Sequence, residues 1–368
     1  MTRLLLHIGH PKTGTTALQS VLSANAEMLL RQASVLYPTR TKPTEFKHAF
    51  VIPWLLGIDN EAIRRRGRAK DEELRQLSKG YWESLLSEFN RIQPEQLILS
   101  AEGFWILRRA AEEKRSSFKQ TLYGIADHIT VAGYLKSPTS YFLSMVNQKL
   151  RNYRQVQLPR PNYYRASMRA WEEAGFDQCH WRIFDRRCLI NQDIVDDFCT
   201  TYLPSSINSA ELQRDGVEQA NSSVSSEALV LLEEAARRYP VLSRNIYDHR
   251  RSKIVNILRE ADNAIGGLRR PSLKTEIEAG IVGRCKDLGW LQDRGLSFPD
   301  IDPALIRPGS GASQATQLPE QFTQVSDFFP VDTERLASLR AASWPKIRQL
   351  FSNPTMRFLG LFRAPRQG

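Results

Sequence analysis

Short apolar runs alternate with longer stretches of helical periodicity through the first half of the chain. Leu4 to Ile8 is an apolar run bounded by Gly9, and the apolar positions that follow it, Leu18, Val21, Leu22, Met28 and Leu29, recur at helical spacing. This predicts strand, tight loop and helix in that order. Gln96 to Ser100 and Ile129 to Leu135 predict two more strands, each preceded by a charged or amphipathic stretch read as helical, and Cys179 to Phe184 predicts another. Strands separated by helices imply a parallel sheet, hence an α/β chain with helices on both faces of a central sheet.

Helix signals continue beyond the strands. Ser137-Pro138 reads as a cap followed by proline at the first helical position, opening a helix that runs through Ser144 towards Arg151. A helical stretch spans Ile194 to Tyr202 and is ended by Pro204. Ser225 predicts the cap of a helix carrying Leu229, Leu232 and Ala236, with Glu227 favourably placed in its first turn. From about residue 303 the texture changes to a polar stretch rich in breakers, Pro308-Gly309-Ser310-Gly311-Ala312-Ser313 among them. The expected division is a compact domain over 1–302, a linker over 303–325 and a basic, amphipathic tail over 326–368, in which Leu336, Leu339, Trp344, Ile347 and Leu350 suit one short helix.

Composition narrows the class. Hydrophobic residues at 41% and charged residues at 25% are close to the globular average, and 368 residues suffice for a sizeable core. The four cysteines show neither paired spacing nor the density of a disulfide scaffold, so they are read as reduced thiols of a cytoplasmic protein. The first apolar run is broken by His7 and is too short for a signal peptide or a membrane span. A net charge of +11, with a cluster at Arg64-Arg65-Arg66-Gly67-Arg68, suits an anionic nucleotide, an acidic acceptor or an anionic membrane surface. No zinc-finger spacing, RNA-binding aromatic motif or basic heptad array accompanies it, which argues against nucleic acid as a partner. The tail segment Met356 to Arg363 is basic and partly aromatic, and weak peripheral contact with the inner face of a membrane is one use for it.

The chemistry-bearing segment is Gly9-His10-Pro11-Lys12-Thr13-Gly14-Thr15-Thr16. It has the length, glycines and strand-to-helix setting of the phosphate loop G-x-x-x-x-G-K-[ST], but Thr15 stands where that loop carries lysine, and Lys12 lies three positions earlier. Backbone N–H groups and the start of a helix still bind phosphate without a side chain. Glycine and threonine also serve as plain capping in such turns. Lys12 projects from the loop itself rather than from the first helical turn, while Thr15 and Thr16 add hydroxyl donors for a phosphate. A second element is Lys136 at a strand end with Ser144 eight residues later. A strand end puts Lys136 at the carboxyl edge of the sheet, where open α/β sheets bind ligands. The plainer alternative makes Lys136 an exposed charge and Ser144 a helix serine bonded to its own backbone.

Pro11-Lys12-Thr13-Gly14-Thr15-Thr16 resembles the 5′-phosphosulfate loop of the PAPS-dependent sulfotransferases, PAPS being 3′-phosphoadenosine 5′-phosphosulfate. The run from His7 to Pro38, with Leu36-Tyr37-Pro38, is similar to the opening of bacterial members. The resemblance implies a three-layer, P-loop-NTPase-like fold over 1–302, and PAPS as co-substrate with adenosine 3′,5′-bisphosphate as product. It also implies a hydroxyl or amino group as acceptor, on a glycan, lipid or small molecule, and no metal requirement. Pro11, Lys12, Thr13, Gly14, Thr15 and Thr16 would bind the 5′ end and Lys136 with Ser144 the 3′-phosphate. Lysine replaces the family's usual arginine at 136, which forgoes bidentate recognition. Trp181 to Arg186 and Asn221 to Ser225 are weaker echoes. Lys12 would stabilise the leaving phosphate. The base would be Glu102, just past a strand end, or His48, and His10 is an alternative donor to the sulfate. Two other readings stay open: a P-loop kinase or NTPase, which needs a Walker lysine and a magnesium-binding acid, and a non-catalytic nucleotide-binding scaffold.

Overall fold

A computed structural model describes residues 1–39, 47–58, 71–151, 164–214, 224–244, 250–267, 269–306 and 324–352. The Arg64 to Arg68 cluster, Asn221 to Ser223 and the tail from Met356 lie outside the described residues. Two compact units share the chain. The first comprises Met1–Ser137, Asn162–Asn221 and Lys286–Asp302, and the second Pro138–Pro161, Ser222–Cys285 and Pro303–Gly368.

The first unit is built on five parallel strands, β1 (Arg3–His7), β2 (Val35–Leu36), β3 (Gln96–Ser100), β4 (His128–Leu135) and β5 (Gln178–Ile183), in the order β2-β3-β1-β4-β5. Leu4 is in register with Leu97 on one side and Ile129 on the other. Because side chains alternate along a strand, the sheet divides its apolar residues between two cores. Leu4, Leu6, Leu97, Leu99, Ile129 and Val131 join one core, with Tyr81, Phe104, Phe118 and Trp171. Leu5, Ile98, Ala132 and Tyr134 join the other, with Leu18, Leu22, Leu29 and Phe198. The fold is thus a three-layer α/β sandwich with a central parallel sheet and helices on both faces.

Each predicted strand is present to within a residue, and β2, only two residues long, is the one that periodicity did not show. The single helix expected after the loop is two, α1 (Thr15–Ala24) and α2 (Ala26–Ala33). Asn25 separates them: its Nδ2 donates to the carbonyl oxygens of Val21 and Gln213, and its Oδ1 accepts from the Gln213 amide. Tertiary bonds to a residue 188 positions away therefore turn the chain where spacing alone continues it.

The second unit is helical. The helices Pro138–Arg151, Ser226–Arg238, Arg250–Ala264, Thr275–Arg284 and Thr333–Ser352 enclose a core that includes Phe142, Leu229, Leu232, Ile254, Leu258, Phe328 and Leu339. Ser225 caps its helix as expected, accepting from the Ala228 amide at 3.1 Å. The helix expected in the tail is Thr333–Ser352, and it packs on Ser226–Arg238 and Arg250–Ala264 with Leu339, Trp344 and Ile347 buried. Pro303–Gly368 groups with segments from the middle of the chain in the second unit. The reason is the apolar face of that helix, which is covered by two earlier helices. No helix among the described residues is long and apolar enough to cross a membrane.

Candidate functional site

The loop after β1 is held from both sides before it turns. The carbonyl of His7 accepts from the Ala101 amide beyond β3, while the amides of Ile8 and His10 donate to Ala132 and Tyr134 of β4. The backbone then needs its glycines. A Cβ on Gly9 would lie 2.3 Å from Thr15 Cγ2, and Gly14 has a φ of 71°, in the left-handed region. Lys12 also lies there, with a φ of 74°, a conformation uncommon for a residue with a side chain. Thr13 Oγ1 closes the turn by donating to the His10 carbonyl at 2.7 Å. Gly14 is the cap of α1, so among the described residues no side chain caps that helix, and its first turn carries no acid. Uncapped amides at a helix start form a seat for an anion.

Side chains of opposite charge hold the two threonines of the first turn. Thr15 Oγ1 donates to Glu102 Oε1, which opens the helical turn Glu102–Arg109 directly after β3. Thr16 Oγ1 accepts from Lys47 Nζ at 2.8 Å. Behind them Gln19 Nε2 donates to the Ser100 carbonyl and hydroxyl, fastening α1 to the end of β3.

Lys136 approaches from the other flank, at the end of β4. Its Nζ donates to the Lys12 carbonyl at 3.1 Å and lies 5.4 Å from the centre of the Phe184 ring. Burial, and then the charge of Lys12, push its pKa down to about 8, while Asp300 and Asp185 pull it back up. The Lys136 carbonyl accepts from Tyr164 Oη at 2.6 Å. Ser144 belongs to the second unit, on the helix Pro138–Arg151, and its hydroxyl donates to the Ser140 carbonyl at 3.0 Å. The expected pair thus spans the unit boundary between Ser137 and Pro138.

The histidines are structural in their environment. His48 is fully buried; its Nδ1 accepts from the Ser100 amide at 2.8 Å, so its Nε2 carries the proton and donates to the Pro38 carbonyl at 2.8 Å. Burial pushes its pKa down to about 4. Both ring nitrogens of His48 are thus engaged by backbone groups. His10 stacks on Tyr164 at 5.4 Å and meets Trp105 edge-on at 5.1 Å, and burial takes its pKa down to about 3. It lines the loop as a neutral imidazole, which keeps one N–H donor. Arg182, in the strand that echoed the family, makes a bidentate pair with buried Asp197 and serves the fold.

Sequence reading missed Lys47, Trp105 and Tyr164. The only available signal for Lys47 was its position beside His48, because an isolated lysine in a non-periodic segment has no pattern to mark it.

No protein-family model matches this chain, and no curated protein matches it. Among solved structures, a sulfotransferase domain from the curacin biosynthetic pathway is similar over 61% of this chain and 83% of that one, at 12% identity and a TM-score of 0.31.

Proposed function

We propose that this chain is a sulfotransferase that takes PAPS as donor. The observation that carries the reading is the position of lysine: Thr15 occupies the Walker lysine position and is engaged by Glu102, while Lys12, in the left-handed bend, and Lys136 bring two cations to one side of the loop. Two like charges at one loop suit a ligand of more than one negative charge. The glycine bends and the uncapped start of α1 suit its 5′-phosphate.

When bound, PAPS supplies a sulfuryl group activated on its 5′-phosphate, and transfer to an acceptor hydroxyl or amine leaves adenosine 3′,5′-bisphosphate. In this reading Pro11, Lys12, Thr13, Gly14, Thr15 and Thr16 hold the phosphosulfate end, and Lys12 stabilises negative charge on the leaving oxygen. Lys136 and Ser144 are the proposed 3′-phosphate pair. Glu102 is the base: Thr15 orients one carboxylate oxygen, which leaves the other to take the acceptor's proton. The acceptor is a glycan, lipid or small metabolite.

Titration calorimetry with adenosine 3′,5′-bisphosphate in the presence of EDTA tests this, and binding without magnesium is the expected result. Binding of ATP with magnesium, and none of the bisphosphate, overturns it in favour of a P-loop kinase. The observation that would then weigh is Glu102 beside the loop, where a magnesium-binding acid would stand.

A further inference from the structure

We infer that Lys47 is a further donor-binding residue, one that reads the 5′-phosphate through Thr16. This rests on the reading above and adds to it a residue from a different part of the chain.

The topology supplies the first part of the argument. The loop follows β1, the central strand, with β3 on one side and β4 on the other. Lys136 reaches the loop from the β4 flank. Lys47 reaches it from the side of β2 and β3, so the start of α1 lies between cations from both flanks. The second part is how firmly Lys47 is delivered. The next residue, His48, is buried and bonded through both ring nitrogens, to Pro38 after β2 and to Ser100 at the end of β3. Its backbone is therefore anchored to the sheet, and only the flexible lysine stem is left to move.

The third part is the direction of the hydrogen bond. Lys47 carries only donors, so Thr16 Oγ1 is the acceptor and keeps its own proton for a ligand oxygen. A phosphate oxygen that takes the Thr16 proton comes within one hydrogen-bond length of that hydroxyl, and so close to the Lys47 ammonium bonded to it. Thr15 differs, because its proton goes to Glu102. Of the two threonines, Thr16 is the one ready to donate to a phosphate, and Lys47 supplies the charge beside it.

Calorimetry on the full chain with three probes, adenosine 5′-phosphate, adenosine 3′-phosphate and adenosine 3′,5′-bisphosphate, tests the assignment. Lys47→Met should weaken the 5′-phosphate and the bisphosphate by about tenfold each, a typical loss for one charge-assisted contact, and leave the 3′-phosphate unchanged. The dependence of bisphosphate affinity on salt should become shallower, and Lys47→Arg should restore most of the binding. Thr16→Val should produce a similar loss, with little further loss when combined with Lys47→Met. Unaltered 5′-phosphate binding by Lys47→Met, or an equal loss for the 3′-phosphate, overturns this inference alone. Failure of the unaltered chain to bind the bisphosphate overturns both this and the sulfotransferase reading. Thermal melts of each variant separate lost binding from lost folding.

Discussion

The two units treat charge in opposite ways. In the helical unit Arg335 is buried, with its Nη2 donating to Asp262 Oδ1 at 2.8 Å and to the Gly267 carbonyl at 2.7 Å, and Glu227 lies 3.7 Å from its Nε. The acids are supported in turn, Glu227 accepting from the Asp332 amide and Asp262 from the Ser225 amide. One cation and two anions are enclosed together, their opposite charges balancing within the core. At the carboxyl edge of the sheet the balance differs: Lys136 is brought against the loop that carries Lys12, and burial and that like charge outweigh the pull of Asp300 and Asp185. Buried charges that compensate one another report what a fold needs. Like charges gathered at a loop report the sign of what it binds.

The strongest test of that contrast is Arg335→Met. It leaves Asp262 and Glu227 enclosed without their cation, and a loss of about 3–5 kcal/mol in urea unfolding is expected. A loss under about 1 kcal/mol would show that these charges are solvated or rearranged, and the contrast would fail. Lys12→Met should do the reverse, lowering sulfate transfer by about 10²–10³-fold while the melting temperature holds or rises, since a repulsion is removed. A clear fall in melting temperature would make Lys12 structural instead.

Glu102→Gln and His48→Phe divide the two expected bases. Glu102→Gln should lower kcat by about 10²-fold or more with the fold intact. His48→Phe strips bonds from the Ser100 amide and the Pro38 carbonyl, and should cost about 1–3 kcal/mol of stability while kcat per folded molecule stays within a fewfold. The opposite pattern would restore His48 as the base.

The smallest effect is in pH. Lys136 has a folded-state pKa of about 8 against an ordinary 10.5, so between these values the unfolded chain holds the proton that the folded chain has lost. Stability should therefore rise with pH across that window. Bisphosphate affinity, which uses the charged form, should fall as pH passes about 8. Lys136→Met should flatten both trends, and parallel rather than opposed trends in the unaltered chain would show that Lys136 does not face the ligand.

Much of the sheet unit is legible in the amino-acid order because its signals are local. A parallel sheet covered on both faces requires near-continuous apolar strands, and those at Leu4, Gln96 and Ile129 stand out as such, while the edge strand at Cys179 mixes polar and apolar residues. The loop is equally legible, since Gly9 and Gly14 answer local steric demands and Lys12 lies between them. Where the pattern misled, a distant partner made the difference. Asn25 turns the chain through bonds to Gln213, and the helix Thr333–Ser352 belongs to a core supplied by residues a hundred positions earlier.

The loop's backbone, its displaced lysine and the alternation of strand and helix were determined by the sequence by itself, because each depends on residues within about ten positions of one another. The partners of Glu102 and His48, and the presence of Lys47 at Thr16, were decided only by tertiary structure. A strand-end glutamate and, after it, a loop histidine are both candidates to carry a proton until their partners are known. Thr15 brings one to the loop, and two backbone groups use up the other. Hydrogen-bond capacity is finite, and which group spends it on which depends on contacts that only the folded chain makes.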